Sequence, residues 1–166
     1  MPAREVIIVP HPTLRKKAAP VTDFGAETQE LIDDMITTLH AESGAGLAAP
    51  QVNVSQQVIL VDFGSEEDES IPPTLYVAVN PKITRFSKEL VSGAEGCLSI
   101  PGLMGEVERA QEIIVEGQTR KGEPVKMRLN GWTARIFQHE IDHLNGVLFT
   151  DRATEVWETD EDYYPV

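Results

Sequence analysis

The chain has 166 residues, of which 41% are hydrophobic and 25% charged, and a formal net charge of −13. This length predicts a single domain over residues 1–166 that can bury a core without disulfides, and the one cysteine excludes an intrachain disulfide. Binding to a phosphate backbone requires clustered Lys and Arg, and this acidic chain lacks such clusters. We therefore expect no direct nucleic-acid binding.

The first predicted element is an irregular segment, since prolines stand at positions 10, 12 and 20. A helix is predicted over Ala26–Glu42, because apolar residues recur on one helical face, at Leu31, Ile32, Met35, Ile36 and Leu39. The helix ends where residues 43–46 (SGAG) interrupt the period. Four extended segments rich in branched residues follow, at 57–63, 75–79, 112–116 and 124–129, and a turn at 121–123 joins the last two into a hairpin.

The helical period returns from Gly131, with Trp132, Ile136, Phe137, Ile141 and Leu144 as its apolar positions. Asn130 is a suitable N-cap, and Asn145 with Gly146 a suitable stop. A helix, a run of strands and a second helix predict an α+β domain. We expect the acidic residues 155–166 to form a flexible tail.

The apolar run near the N-terminus is too short for a signal peptide, and the residues before it carry too little positive charge. No run of 18 apolar residues exists that could cross a membrane. We therefore expect a cytoplasmic protein without membrane contact.

The second predicted helix carries a metal-binding pattern, His139-Glu140-Ile141-Asp142-His143. Residues four apart project from one helical face, so the two imidazoles can converge on one metal ion. Glu140 follows the first ligand and can act as the base that activates a metal-bound water. The pattern predicts a metallohydrolase.

Such a site needs a third protein ligand. In one protease signature the third ligand is a histidine at the position of Phe149, and phenylalanine cannot coordinate. Another takes a downstream glutamate, and the candidates are Glu155, Glu158 and Glu161 in the acidic tail. We favour Cys97, because its thiolate is a strong ligand for a divalent transition metal and Gly96 beside it permits close approach.

Three segments together resemble the signature motifs of the peptide deformylase family: residues 44–51 (GAGLAAPQ), 95–99 (EGCLS) and 138–144 (QHEIDHL). Their order and spacing are similar to the family's, and the likeness extends from residue 11 to residue 149. The resemblance implies mixed or antiparallel sheets packed around a central metal-binding helix. It also implies a hydrolase acting on a linear amide bond, which removes the N-formyl group from the N-terminal methionine of newly synthesised polypeptides and releases formate.

The resemblance assigns roles position by position. Cys97, His139 and His143 match the metal ligands, and Glu140 matches the general base and acid. Gln51 and the backbone N–H of Leu98 match the donors to the formyl oxygen. The family pairs the peptide main chain with residues that match Ala45, Gly46 and Gly96, while Trp132 and Ile136 are our candidates for the methionine side-chain pocket. Glu95 and Arg109 match a charged pair with a scaffolding role.

Two departures from the family pattern affect partners. Many members carry an arginine that helps to bind the peptide where this chain has Met104, so affinity beyond the methionine is in question. Some members dock on the ribosome through a basic C-terminal helix, whereas this tail is acidic. We expect N-formylmethionyl nascent peptides as partners, with at most transient proximity to the ribosome.

The metal itself is predicted differently by the two lines of reasoning. One cysteine and two histidines around an open position favour zinc, while the resemblance implies Fe(II), replaceable by nickel, cobalt or zinc; we favour Fe(II). The alternative functions are a zinc endopeptidase and a catalytically silent binding module of the same fold.

Overall fold

A computed structural model describes residues 2–64, 70–160 and 166 of the chain. Within these ranges the α-helices are α1 (Ala26–Glu42), α2 (Gly131–Leu144) and the short α3 (Phe149–Arg152), and two 3-10 helices span Pro12–Arg15 and Ala49–Val52. The strands are β1 (Gly46–Ala48), β2 (Val58–Phe63), β3 (Thr74–Phe86), β4 (Leu90–Cys97), β5 (Ile100–Ala110), β6 (Glu112–Gln118), β7 (Pro124–Asn130) and β8 (Glu155–Glu158). Both predicted long helices and the hairpin β6–β7 are confirmed.

The strands form two antiparallel sheets. One has the order β1-β2-β3-β6-β7 and the other the order β4-β5-β8. This arrangement confirms the predicted α+β class. Strand β1 is an edge of the first sheet and β4 an edge of the second, so one side of each is not paired with another described strand.

Helix α1 packs against the five-stranded sheet through one apolar face. Leu31, Met35 and Leu39 are buried there, in one cluster with Leu47 and Leu60 of strands β1 and β2. The helix ends at Ser43, which adopts the left-handed conformation and donates its N–H to a carbonyl of the last turn. The chain can then turn directly into edge strand β1.

Helix α2 is buried along most of its length and is tied to β5 by one glutamine. The Gln138 side chain accepts from the Ala110 N–H at 3.1 Å and donates to the Ala110 carbonyl at 2.9 Å. At its start, Asn130 occupies the N-cap position without a capping hydrogen bond from its side chain, and the Gly131 N–H donates to the Gln111 carbonyl. These bonds fix the position of α2 between the two sheets.

The prediction of a flexible tail needs correction for residues 155–158, which form β8 and pair with β5. Strand β8 occupies the edge of β5 that does not pair with β4, and Trp157 lies opposite Met104 in this pairing. Val166 is buried in the same cluster as Ile136; residues 161–165 lie outside the described ranges. None of the described helices has the length and apolar character needed to cross a membrane.

Candidate metal centre

The three favoured metal ligands come together in the fold. Cys97 ends β4, while His139 and His143 lie one turn apart on α2, and their ligand atoms are all within 4.8 Å of one another. Cys97 Sγ is 3.4 Å from His143 Nε2. Each of the three residues is no more than 2% exposed. The geometry therefore brings together the thiol and two imidazoles that were inferred from separate parts of the sequence.

The other third-ligand candidates lie elsewhere. Glu155 and Glu158 are exposed on β8, and Glu161 falls outside the described residues. Phe149, at the histidine position of the protease signature, is buried with its ring stacked at 6.1 Å from that of His139. Phe149 therefore packs against His139 and offers no ligand atom.

Glu95 determines how His139 is presented. Its Oε1 lies 2.9 Å from His139 Nδ1, so the other ring nitrogen, Nε2, is the one left for a metal. Arg109 binds both oxygens of the same carboxylate, at 2.8 and 2.9 Å, and also donates to Asp142 at 2.7 Å. Burial would raise the pKa of Glu95, but the hydrogen bonds from Arg109 and His139 hold it well below its ordinary range. Glu95 is therefore an anion.

The protein groups alone give the two histidines opposite pKa shifts. Burial opposes protonation of His139, but hydrogen bonds to Cys97 and Glu95 outweigh it and raise the pKa to about 10. Burial and the neighbouring His139 charge lower the pKa of His143. A metal ion at this centre would displace the proton from His139, because imidazole coordinates in its neutral form. A thiolate, two imidazoles and a carboxylate behind one of them fit a divalent transition metal.

Glu140 is buried beside the three candidate ligands, and one oxygen of its carboxyl group is unpaired within the described part of the chain. It is 1% exposed, and among the described residues its Oε1 has no hydrogen-bond partner. Burial raises its pKa to about 7, while the charge on His139 acts in the opposite direction. A carboxylate held this way is costly for the fold and typical of a group that exchanges protons with a substrate or water.

Gln51 points its amide nitrogen towards the centre. Its carbonyl oxygen accepts from the Ala48 N–H at 3.0 Å, which fixes the orientation of the side chain. The amide nitrogen then lies 3.1 Å from Ser99 Oγ and 3.5 Å from Cys97 Sγ. Leu98 follows Cys97 directly in the turn between β4 and β5.

The predicted substrate-binding residues lie along two strand edges and one face of α2. Ala45 and Gly46 lead into and begin edge strand β1, and Gly96 is the penultimate residue of edge strand β4. Ile136 is fully buried next to Gly46, whereas Trp132, one turn earlier, packs partly buried against the same cluster. All five residues thus lie on, or next to, the strands β1 and β4 and the helix α2, which surround the candidate metal centre.

Sequence reasoning missed two polar neighbours of this centre. Arg135 is buried and donates to Glu95 at 2.7 Å, and buried Ser99 lies within reach of Gln51. The signal for Arg135 was available, since it stands four residues before His139 and therefore on the same helical face. Ser99 offered no comparable periodic signal.

The comparisons with known proteins agree on one family. The model of the Polypeptide deformylase family matches residues 3–158. A peptide deformylase of Symbiobacterium thermophilum is 46% identical over 95% of this chain and 70% of its own length, and one of Halothermothrix orenii is 43% identical over 95% and 98%.

Two solved structures share the fold. The peptide deformylase of Thermotoga maritima has a TM-score of 0.86 and 39% identity, covering 93% of this chain and all of that one. A Met-Ala-Ser-bound class I type b peptide deformylase of Acinetobacter baumannii has a TM-score of 0.84 and 40% identity, covering 90% and 98%. The chain belongs to the polypeptide deformylase family, the metal-dependent hydrolases that remove the N-formyl group from nascent polypeptides.

Proposed function

We propose that Cys97, His139 and His143 hold one divalent metal ion, Fe(II) in the working enzyme. The observation that carries this proposal is the convergence of their ligand atoms within 4.8 Å in a buried site. The hydrogen bond of Glu95 to His139 Nδ1 supports it, because such a bond orients an imidazole and makes it a better ligand. Nickel, cobalt or zinc can occupy the same donor set.

When bound, such a metal lowers the pKa of a coordinated water from 15.7 to about 7 and polarises a carbonyl oxygen. Glu140 accepts the proton of the attacking water and then delivers it to the leaving amine of methionine. Its burial, its pKa near 7 and its free oxygen support this double role, since a group near neutrality can both accept and donate.

Gln51 and the Leu98 N–H donate to the formyl oxygen as it gains negative charge. The fixed carbonyl of Gln51 supports this assignment, because the amide nitrogen has no freedom to turn away from Cys97. Donors held ready in a dry site stabilise a developing charge without reorganisation. In the free enzyme the Gln51 amide nitrogen contacts Ser99 Oγ and Cys97 Sγ, and the formyl oxygen would take the place of one of them.

The peptide main chain lies between the two free strand edges, alongside Ala45 and Gly46 on one side and Gly96 on the other. Added strands commonly pair with such edges. The formylated methionine side chain enters the apolar surface formed by Ile136 and Trp132. The Met-Ala-Ser-bound relative supports peptide binding of this kind. We place the enzyme in the cytoplasm next to emerging nascent chains, because these carry its substrate; the acidic residues 155–162 would repel ribosomal RNA.

The experiment is to prepare the enzyme anaerobically, reconstitute it with Fe(II) or zinc, and measure formate released from formyl-Met-Ala-Ser together with metal content. We expect one metal per chain, higher turnover with Fe(II), and loss of metal in Cys97→Ser. Full activity only with zinc would overturn the choice of iron. Metal retention in Cys97→Ser with cleavage of internal peptide bonds would instead favour the zinc endopeptidase.

A further inference from the structure

The buried guanidinium of Arg135 joins α2 to the second sheet. Its NH1 donates to Glu95 Oε2 at 2.7 Å and to the Val107 carbonyl at 2.9 Å, and its NH2 donates to the Val91 carbonyl at 2.6 Å. Only 3% of the residue is exposed. Three acceptors from β4 and β5 therefore fix this side chain in a single place.

The carboxylate of Glu95 is consequently held to α2 at both oxygens. Oε2 receives Arg135, and Oε1 receives His139, which follows Arg135 by one turn on the same helix. Arg109 reaches the carboxylate from β5 and leaves these two contacts in place. A carboxylate fixed at both ends fixes the plane of the imidazole that it contacts.

One face of the same guanidinium also contacts an aromatic ring. Arg135 Cζ lies 5.1 Å from the centroid of the Trp132 ring, within the range of a cation–π contact. Trp132 packs against the cluster that contains Ile136. Arg135 thus contacts both Glu95, which supports the proposed ligand His139, and Trp132, which we assign to the pocket for the methionine side chain.

We propose that Arg135 is a positioning residue with two targets: it orients His139 through Glu95, and it holds the Trp132 ring in place for the methionine side chain. The proposal rests on the metal-ligand role of His139 and the pocket role of Trp132 proposed above. It assigns to a residue outside the three signature segments a part in both metal binding and substrate affinity.

The first test compares Arg135→Met with Trp132→Leu. Arg135→Met should weaken cobalt(II) binding roughly 10- to 100-fold, the usual cost of losing an outer partner of a metal ligand, and should alter the visible spectrum of the cobalt enzyme and raise KM for formyl-Met-Ala-Ser. Trp132→Leu should raise KM alone, with cobalt affinity and spectrum unchanged. Arg135→Lys, which keeps the charge, should recover part of the cobalt affinity.

A second variant disturbs Arg135 without removing it. A β-carbon at Gly93 of β4 would stand 2.9 Å from Arg135 Cζ, so Gly93→Ala should displace the guanidinium and weaken cobalt binding in the same direction. The matched control is Ser92→Ala, the neighbouring position, whose hydroxyl donates to Glu106; it should leave cobalt binding unchanged.

Wild-type cobalt affinity and spectrum in folded Arg135→Met and Gly93→Ala, with folding checked by circular dichroism, would overturn the positioning role. Failure of the proposed metal site would appear differently. The wild-type cobalt enzyme itself would then lack the absorption of a thiolate ligand, which also removes the basis for a role of Arg135 at His139.

Discussion

Gly46 lies so close to Glu140 that a β-carbon on the glycine would overlap with Glu140 Oε2 and stand 2.8 Å from Ile136 Cγ2. Gly46→Ala should therefore push the carboxylate out of position. A displacement of about 1 Å at a catalytic group can cost roughly 10²-fold in rate. We expect kcat for formyl-Met-Ala-Ser to fall by that order while the metal content stays at the wild-type level.

The matched control for this variant is Gly117→Ala on β6. A β-carbon there would stand 3.0 Å from the Val79 carbonyl oxygen and 3.1 Å from Pro81 Cα, in the five-stranded sheet. It should lower the melting temperature and leave kcat of the folded enzyme unchanged. Equal kcat values for the two variants would contradict the placement of Gly46 beside the catalytic carboxylate.

Gln51→Ala removes one proposed donor to the formyl oxygen. The loss of one such donor typically lowers turnover by about 10²–10³-fold. Because the metal is assigned to three other side chains, metal content should change little. Steady-state formate release and metal analysis on one preparation check both points, and a variant at near wild-type rate would remove Gln51 from the mechanism.

Two glycines with positive φ allow backbone strain to be separated from steric contact. Gly131 has φ +60°. A β-carbon added there would have no heavy atom of the described residues within 4 Å, leaving out its two chain neighbours and the nearby helix backbone. Gly146 has φ +72° and would place a β-carbon 2.6 Å from the Arg15 carbonyl oxygen. Gly131→Ala should cost about 1–2 kcal/mol, or roughly 2–8 °C in Tm, and Gly146→Ala should cost more. Thermal unfolding measures both, and an equal loss would remove the contact with Arg15 from the explanation.

Met104 offers a test of peptide affinity beyond the methionine. It pairs with Gly96 across β4 and β5, next to the strand edge where we place the peptide. Met104→Arg would add donors for the peptide carbonyls, so KM for formyl-Met-Ala-Ser should fall roughly 2- to 10-fold, the worth of one net hydrogen bond, with kcat unchanged. An unchanged KM would show that the peptide does not come within reach of a side chain at position 104.

The sequence predicted the elements whose signal is local. Helices α1 and α2 match their apolar periods from end to end, and the spacing of His139 and His143 on one helical face predicted two candidate ligands that the structure brings together with Cys97. Cys97 was predicted as the third ligand from its chemistry and from the absence of a better candidate, and the resemblance agreed; its position beside the histidines depends on β4 reaching α2. The resemblance supplied Glu95 and Arg109, which the structure shows as a buried pair.

Elements that depend on long-range pairing were missed. Strands β4 and β5 carry glycines and charges, such as Gly93, Glu95 and Arg109, in place of an apolar alternation, because their inward residues serve the ion-pair network. Strand β8 has no local signal beyond Val156 and Trp157 and exists because β5 has a free edge. The spacing of Arg135 and His139 placed both on one helical face, but the acceptors of Arg135 lie on β4 and β5, whose position beside α2 the sequence did not predict.

The most direct test of the central claim is formate release from formyl-Met-Ala-Ser by wild type, Glu140→Ala and Glu140→Gln, with metal content measured on the same anaerobic preparations. We expect one metal per chain in all three proteins. We also expect formate release by wild type and a loss of roughly 10²-fold or more in both variants, because neither side chain can accept the proton of the attacking water. Formate release by a metal-loaded Glu140→Ala at the wild-type rate would contradict the role of Glu140 as the base.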